Sequence, residues 1–158
     1  MVKLGLLFSL ALLLDQFTKW IVRMRMDLGE SISVIGETVR ITFIENPGIA
    51  FGIRVGNTVI FTILSVLASL GVLVYLLTHR HEKPGVQYGL ALILGGAFGN
   101  LIDRLTMGRV ADFIDIGIRD LRWPVFNIAD SAVVIGMALL LITIILSDRK
   151  ETVAEEPI

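Results

Sequence analysis

Four long apolar runs, separated by polar segments, dominate this sequence. A helix that crosses a bilayer needs about 20 mostly apolar residues, and lipid offers no hydrogen-bond partner to an unpaired backbone amide. The runs meet this requirement, so the pattern predicts four transmembrane helices. They cover about residues 4–22, 58–77, 86–105 and 126–147.

The connection between the first two helices has the pattern of β-strands instead. Residues 31–35 and 38–45 alternate in polarity and are rich in β-branched side chains, and Gly36-Glu37 suits a turn between them. The alternation recurs at Phe51, Ile53 and Val55. We expect a small antiparallel sheet over about residues 31–55, lying on the outer surface of the membrane.

The composition agrees with a membrane protein. Of the 158 residues, 54% are hydrophobic and 18% are charged, and the mean hydropathy is +0.79. A soluble domain has about 25% charged residues. The net charge of −1 offers no basic field to nucleic acid, and the absence of cysteine excludes a disulfide scaffold. We therefore expect one membrane domain, residues 1–158, with a four-helix all-α core, a small extracytoplasmic sheet and a flexible tail at 151–158.

The basic residues bear on the orientation of the chain. Four crossings put both termini on one side, where the polar segments hold 5 basic residues in 22, against 7 in 55 on the other side. The raw counts oppose the positive-inside rule, but the densities agree with it, and residues close to the helix ends matter most. We expect cytoplasmic termini and long connections on the outer face.

Aspartates at membrane depth are the first candidates for chemistry, because an ionisable side chain in or beside a transmembrane helix is costly. Asp15 and Lys19 lie four residues apart with the acid first, which favours a structural ion pair that orients the first helix. The full set of such aspartates is Asp15, Asp103, Asp112, Asp115 and Asp130.

The third predicted helix carries a polar patch at its outer end. Asn100, Asp103 and Arg104 share one helix face, because their spacings are three and four residues. This patch is either a structural network or a contact with substrate. Gly95 and Gly99 would let another helix or a substrate backbone approach closely.

Asp112 and Asp130 are harder to explain as structural residues. Asp112 lies in an apolar stretch without a basic neighbour, and Asp130 lies where the fourth helix begins. Two carboxyl groups about 3 Å apart do not both ionise, so one acts as an acid and the other as a base. Such a pair suits amide hydrolysis. Asp115, three residues after Asp112, competes for the same role on spacing alone.

Other catalytic schemes have few residues to support them. There is no cysteine, both histidines lie in the inner loop at 79 and 81, and no metal-ligand spacing is present. An aspartate mechanism without metal or cofactor is therefore expected if the protein is a hydrolase. The alternatives are a proton-coupled transporter with Asp15, Asp103 and Asp130 as a relay, and a non-catalytic assembly subunit.

Five motifs in this order closely resemble the bacterial lipoprotein signal peptidase family (signal peptidase II). The resemblance extends over about residues 4–147. The motifs are DQFTK at 15–19, NPGIAFG at 46–52, GGAFGNLIDR at 95–104, VADFID at 110–115 and FNIADS at 126–131.

The resemblance implies an aspartyl endopeptidase of the bacterial inner membrane. Such enzymes cleave prolipoproteins at the outer face, on the amino side of a diacylglyceryl-modified cysteine, and the antibiotic globomycin inhibits them. By motif position Asp112 and Asp130 match the catalytic pair, which favours Asp112 over Asp115. The residues expected to support the cleft are Asn46, Gly48, Asn100, Asp103, Arg104, Asn127 and Ala129. Diacylglyceryl-modified prolipoproteins, membrane lipid and globomycin-type inhibitors are the implied partners, with no metal or other cofactor.

Overall fold

The computed structural model describes residues 2–50, 53–54 and 58–154. Its helices follow the apolar runs closely but are longer than the sequence pattern predicts. In particular, the last helix continues four residues into the segment expected to be a tail, and residues 155–158 lie outside the described part. The helices are α1 (Val2–Arg25), α2 (Thr58–Thr78), α3 (Pro84–Met107) and α4 (Ile128–Ala154).

Three of these helices are long and apolar enough to cross a membrane. They are α1, α3 and the Ile128–Ser147 part of α4, whereas the apolar part of α2 found among the described residues, Thr62–Thr78, is shorter. Large apolar side chains are exposed along the helices, as a lipid environment requires. The protein is therefore a multi-pass membrane protein.

Helix α3 is the centre of the bundle and packs against the three other helices. Glycines make these contacts close. A Cβ atom at Gly95 would lie 2.9 Å from the Phe8 carbonyl oxygen of α1, and one at Gly96 would lie 2.3 Å from the Ala129 oxygen of α4. Small residues on α3 thus bring the polar parts of α1 and α4 next to each other.

A four-stranded antiparallel sheet lies at one end of the bundle. Its strands, in spatial order, are β1 (Ser31–Ile35), β2 (Val39–Asn46), β5 (Val110–Ile118) and β6 (Leu121–Arg122). The sequence pattern predicts the first two strands but not the last two, which lie between α3 and α4 and outside the predicted range of 31–55. A separate pair, β3 (Ile49–Ala50) and β4 (Ile53–Arg54), follows β2, and Phe51 and Val55 lie outside the described residues.

An apolar cluster fixes the sheet to the helices. Val22 of α1, Phe43 of β2, and Ala111 and Phe113 of β5 are buried together, with Ile128 of α4 packed against them. Strand β5 therefore runs across the ends of α1 and α4. Asp112, between Ala111 and Phe113, is held where the sheet meets the bundle.

Candidate active site

Asp112 lies on β5 and is only 3% exposed. Its side chain accepts two amide hydrogen bonds, one at 2.6 Å from Asn127 Nδ2 to Oδ1 and one at 3.0 Å from Asn46 Nδ2 to Oδ2. Successive side chains of a strand point to opposite faces, so Asp112 and Asp115 face different ways. The candidate carboxyl is thus oriented by two amides from separate parts of the chain.

Asp130 lies in the first turn of α4 and is half-buried. Its Oδ2 atom accepts the Asn127 backbone N–H at 3.2 Å, and its own N–H donates to Asn127 Oδ1 at 2.9 Å. This is a reciprocal capping box, which fixes the helix start. The other oxygen, Oδ1, accepts a 2.8 Å hydrogen bond from Asn100 Nδ2 of α3.

Asn127 joins the two carboxyl groups. It is fully buried, its side-chain amide contacts Asp112, and its backbone contacts Asp130. The same Nδ2 atom also donates to Asn100 Oδ1 at 3.1 Å. A strand residue and a helix residue that are 18 positions apart are therefore brought into one polar site.

Asn46 connects Asp112 to the loop after β2. While its Nδ2 atom donates to Asp112, its Oδ1 atom accepts the Gly48 N–H at 2.9 Å. Gly48 has a φ of 106°, in the region that favours glycine. Both predicted residues therefore lie at the site, where Gly48 provides the turn that holds the Asn46 amide.

Asp112 and Asp115 differ sharply in their electrostatic environment. Burial raises the pKa of Asp112 from 3.8 to about 6, and the charge of Asp130 adds to this, while the bonds from Asn46 and Asn127 oppose it. Burial also acts to raise the pKa of Asp115, but the hydrogen bonds from Arg122 and Thr42 outweigh it and lower the pKa below 3.8.

The contacts of Asp115 are those of a structural residue. Arg122 Nε lies 2.6 Å from Asp115 Oδ1, and the Thr42 hydroxyl donates to Asp115 Oδ2 at 2.8 Å. These bonds tie β5 to β6 and β2. Asp115 is therefore neutralised within the sheet, away from the pair formed by Asp112 and Asp130.

A buried ion cluster lies beside the two candidate carboxyls. Lys19 Nζ is 2.9 Å from Asp15 Oδ2 and 3.2 Å from Asp103 Oδ2, and Arg23 Nη2 is 3.1 Å from the same Asp103 oxygen. Asp15 and Lys19 are fully buried. The expected pair of Asp15 and Lys19 is present, but the cluster also includes Asp103 and Arg23.

The cluster also holds backbone next to each candidate residue. Asp15 Oδ1 accepts the Ala129 N–H at 2.8 Å, and Asp103 Oδ2 accepts the Ala111 N–H at 3.1 Å. Ala129 precedes Asp130, and Ala111 precedes Asp112. The charges of α1 and α3 therefore position both the helix and the strand that carry the candidate pair.

The residues of the predicted polar patch on α3 contact different partners. Asn100 faces Asp130, whereas Asp103 turns to the ion cluster. Arg104 Nη1 lies 3.4 Å from the Ser65 hydroxyl of α2 and interacts electrostatically with Asp130, Asp112 and Asp103. Within the described residues its buried Nε has no hydrogen-bond partner, so this cation keeps an unused donor near the site.

Three contributing residues are missing from the sequence predictions. Gln16 donates to Asp15 at 3.1 Å and to the Gly99 carbonyl at 3.0 Å. Arg23 contacts Asp103, and Ser65 contacts Arg104. Arg23 lies one further turn along α1 from Lys19, so the same helical spacing could have suggested it; Ser65 gives no such signal.

Among the residues that the structure describes, no three His, Asp or Glu side chains form a group suited to a metal ion. His79 and His81 lie in the α2–α3 loop, as the sequence predicts, and both are exposed. The site contains carboxyls, amides and basic side chains.

Fold and site together define a multi-pass membrane protein with two carboxyl groups in one polar site where a sheet meets a helical bundle. The family model described as signal peptidase (SPase) II matches residues 7–146. A lipoprotein signal peptidase of Pelotomaculum thermopropionicum is 44% identical over 153 residues, which cover 97% of each chain. One from Moorella thermoacetica is 42% identical over 85% of this chain and 87% of that relative.

Solved structures agree with the family match and with the similarity to these relatives. A bacterial membrane enzyme determined by the in meso method at 2.3 Å has a TM-score of 0.85 and 32% identity, covering 100% of this chain and 94% of its own. A second, determined by the same method at 1.9 Å, has a TM-score of 0.83 and 33% identity over 91% of this chain and 93% of its own. The chain belongs to the signal peptidase II family, which confirms the resemblance seen in its motifs.

Proposed function

We propose that this protein is a membrane aspartic endopeptidase that removes signal peptides from diacylglyceryl-modified prolipoproteins, with Asp112 and Asp130 as its catalytic pair. Family membership supports the reaction. The observation that carries the choice of residues is the Asn127 bridge, which joins the buried Asp112 to Asp130. Two linked carboxyls with unequal surroundings can act as acid and base in one reaction.

The reaction needs no group beyond these carboxyls and water. The ionised carboxyl takes a proton from water as the water oxygen bonds to the scissile carbonyl carbon, and the protonated carboxyl gives its proton to the carbonyl oxygen. The resulting diol collapses with cleavage of the C–N bond. The leaving nitrogen takes the proton gained from water, and a diol hydroxyl returns a proton to the other carboxyl, which restores the pair.

The neighbouring polar residues have distinct supporting roles in this scheme. Asn46, Asn100 and Asn127 orient the two carboxyls, and Gly48 fixes the Asn46 amide. Arg104, whose Nε is buried without a partner among the described residues, is suited to contact a substrate carbonyl. Asp103 and Ala129 position the backbone on which the pair is carried, since Asp103 accepts the Ala111 N–H and Ala129 donates to Asp15.

The substrate defines how the protein lies in the membrane. A signal helix and a diacylglyceryl group both reside in lipid, so the site belongs at the outer edge of the bilayer with the sheet on the outer surface. In this orientation α2 is a fourth crossing, because its 21 residues span about 31 Å. Both termini are then cytoplasmic, on the side where basic residues are denser. Membrane lipid and globomycin-type inhibitors are the further partners of the outer cleft.

The test is cleavage of a lipidated prolipoprotein by purified enzyme. Asp112→Asn and Asp130→Asn are expected to abolish cleavage while the protein still inserts and unfolds cooperatively. Asp115→Asn is the matched control, because it removes a neighbouring carboxyl of the same strand, and it is expected to retain activity per folded molecule. Substantial cleavage by either of the first two variants contradicts the catalytic pair.

The role of the lipid is tested with the same enzyme. A prolipoprotein peptide with a diacylglyceryl cysteine is expected to be cleaved much faster than the same peptide with a free cysteine. Equal rates for the two peptides would remove the lipid from substrate recognition.

A further inference from the structure

An apolar groove of about 520 Å³ lies between α2 and α4, with α3 as its floor. Val72 of α2, Leu90 of α3 and Ile144 of α4 are among the residues that line it. Its two polar lining residues, Tyr75 and Glu82, lie at the end next to the α2–α3 loop. Tyr75 and Ile144 are exposed, so the groove is open to the surroundings of the bundle.

Helical spacing places this groove in line with the candidate site. Residues that are 14 positions apart on a helix are close to four turns apart, so they lie on nearly the same face. Leu90 and Arg104 of α3 have this separation, and so do Ile144 and Asp130 of α4. Along the helix axes, the groove therefore lies about 21 Å from the site. A segment bound in the groove would reach the two carboxyls at one of its ends.

A signal peptide has the shape and the polarity that this groove would accept. Its apolar segment has about 7–15 residues and follows a positively charged n-region. Fifteen residues of helix span about 22 Å, which matches the distance between the groove and the site. An apolar helix of this length would leave its basic end near the α2–α3 loop when its other end is at the carboxyls.

Glu82 provides a negative charge at the end of the groove that is remote from the candidate site. Its Oε1 atom accepts a 3.2 Å hydrogen bond from the Tyr75 hydroxyl. Among the described residues no ion pair includes Glu82, so its charge is available to a cation. The other charged residues of the loop, Arg80 and Lys83, are basic. The single acidic residue of this loop thus faces the groove.

A second groove, between α1 and α2, differs in both respects. It has a volume of about 360 Å³, and its lining, which includes Gly5 and Phe8, is entirely apolar. Phe8 lies two turns of α1 from Asp15, which is fully buried in the ion cluster. This groove therefore has no charged end and leads to the ion cluster instead of the two carboxyls.

We propose that the signal peptide of the substrate docks as a helix in the α2–α4 groove, with its cleavage site at the two carboxyls and its basic n-region on Glu82. This inference rests on the proposed function. Glu82 then helps to determine which signal peptides are cleaved, although it lies far from the reacting atoms. In the orientation proposed above, Glu82 is on the cytoplasmic side, where a basic segment stays.

Two glycines allow each groove to be filled separately. A Cβ atom at Gly71, which lines the α2–α4 groove, or at Gly5, which lines the α1–α2 groove, has no neighbour within 4 Å. Gly71→Leu is expected to lower kcat/KM for a lipidated prolipoprotein by on the order of tenfold, because the leucine occupies space needed by the signal peptide. Gly5→Leu is expected to stay close to the wild type. Thermal unfolding checks each fold, and Ile144→Trp, which fills the same groove from α4, decides if Gly71→Leu does not fold.

The charge at Glu82 is tested with two lipidated substrates, one with lysines in the n-region and one in which glutamine replaces them. Glu82→Gln is expected to lower kcat/KM about threefold for the basic substrate and to leave the neutral one unchanged, since an exposed ion pair contributes about 0.2–1 kcal/mol. His81→Lys is the matched control, because it also adds one positive charge to the loop, at the adjacent exposed position. It is expected to have the smaller effect.

A loss confined to Gly71→Leu, together with a Glu82→Gln effect confined to the basic substrate, supports the inference. Wild-type kcat/KM in Gly71→Leu, or equal losses in the two glycine variants, overturns docking in this groove and leaves it to lipid. A Glu82→Gln effect that is absent, equal for both substrates or matched by His81→Lys overturns the contact with the n-region. A wild type that does not cleave the lipidated prolipoprotein refutes the proposed function itself, whereas cleavage that none of these variants alters refutes only this inference.

Discussion

Asn127 and Asp130 cap each other at the start of α4, with Asn127 Oδ1 accepting the Asp130 N–H at 2.9 Å and Asp130 Oδ2 accepting the Asn127 N–H at 3.2 Å. The Asn127 side chain also donates to Asp112 at 2.6 Å. Asn127 therefore both caps α4 and orients a carboxyl of the candidate site. Substitutions at Asn127 can separate its contribution to stability from its contribution to activity.

Asn127→Ser and Asn127→Ala are expected to differ from each other in stability but to lose activity to the same extent. A serine hydroxyl can still cap the helix, whereas alanine cannot, so the alanine variant is expected to be less stable by about 1 kcal/mol. Neither side chain has an amide to donate to Asp112, so both variants should lose most of the cleavage activity. Thermal unfolding and kcat/KM measure the two effects, and a fully active serine variant would contradict the role of the Asn127 amide.

The helices could be predicted because the apolar runs are long, whereas half of the sheet could not. Strand β5 begins with residues that are buried on both faces, so it lacks the alternation that reveals β2. Its partner is also distant, since Ile44 pairs with Asp112 across 68 positions of the chain. Periodicity within a short window does not contain that information.

The same limit applies to the candidate site, where contacts within one helix could be predicted but contacts between helices could not. The pair formed by Asp15 and Lys19 could be predicted from helical spacing, but its connection to Asp103 depends on how closely α1 and α3 pack. The distinction between Asp112 and Asp115 likewise follows from the bond to Arg122 across the turn into β6, as well as from the resemblance to a family.

Gly99→Ala is expected to destabilise the protein and lower its activity. A Cβ atom there would lie 2.4 Å from Asp15 Oδ2 and 3.3 Å from Ala129 Cβ, so it would displace the ion cluster. Overpacking of this kind costs about 1–3 kcal/mol. Gly5→Ala on α1 is the control, because a Cβ there has no neighbour within 4 Å. Equal unfolding temperatures for the two variants would show that Asp15 moves aside freely.

Chelators are expected to leave cleavage unchanged. The oxygens of Asp112 and Asp130 accept hydrogen bonds from amide and backbone donors, and the described residues offer no group of three or more metal-binding side chains. Activity measured with and without EDTA tests this. Loss of activity that zinc restores would contradict a mechanism based on the two carboxyls alone.

The raised pKa of Asp112 predicts that this residue makes the protein less stable as the pH rises. Its pKa is about 6 in the folded protein and 3.8 ordinarily, so folding favours the protonated form. The Asp112 carboxyl should therefore reduce the unfolding free energy by up to about 3 kcal/mol between roughly pH 4 and pH 6, and by no more above that range. Asp112→Asn should lack this loss, so its unfolding temperature should fall less than that of the wild type over the same interval. Asp115 has the opposite effect, because its lowered pKa contributes stability that is lost on acidification. The Asp115→Asn variant should lack this loss at acidic pH. Parallel pH profiles of unfolding temperature for the wild type and Asp112→Asn would show that burial of the Asp112 carboxyl does not oppose its ionisation.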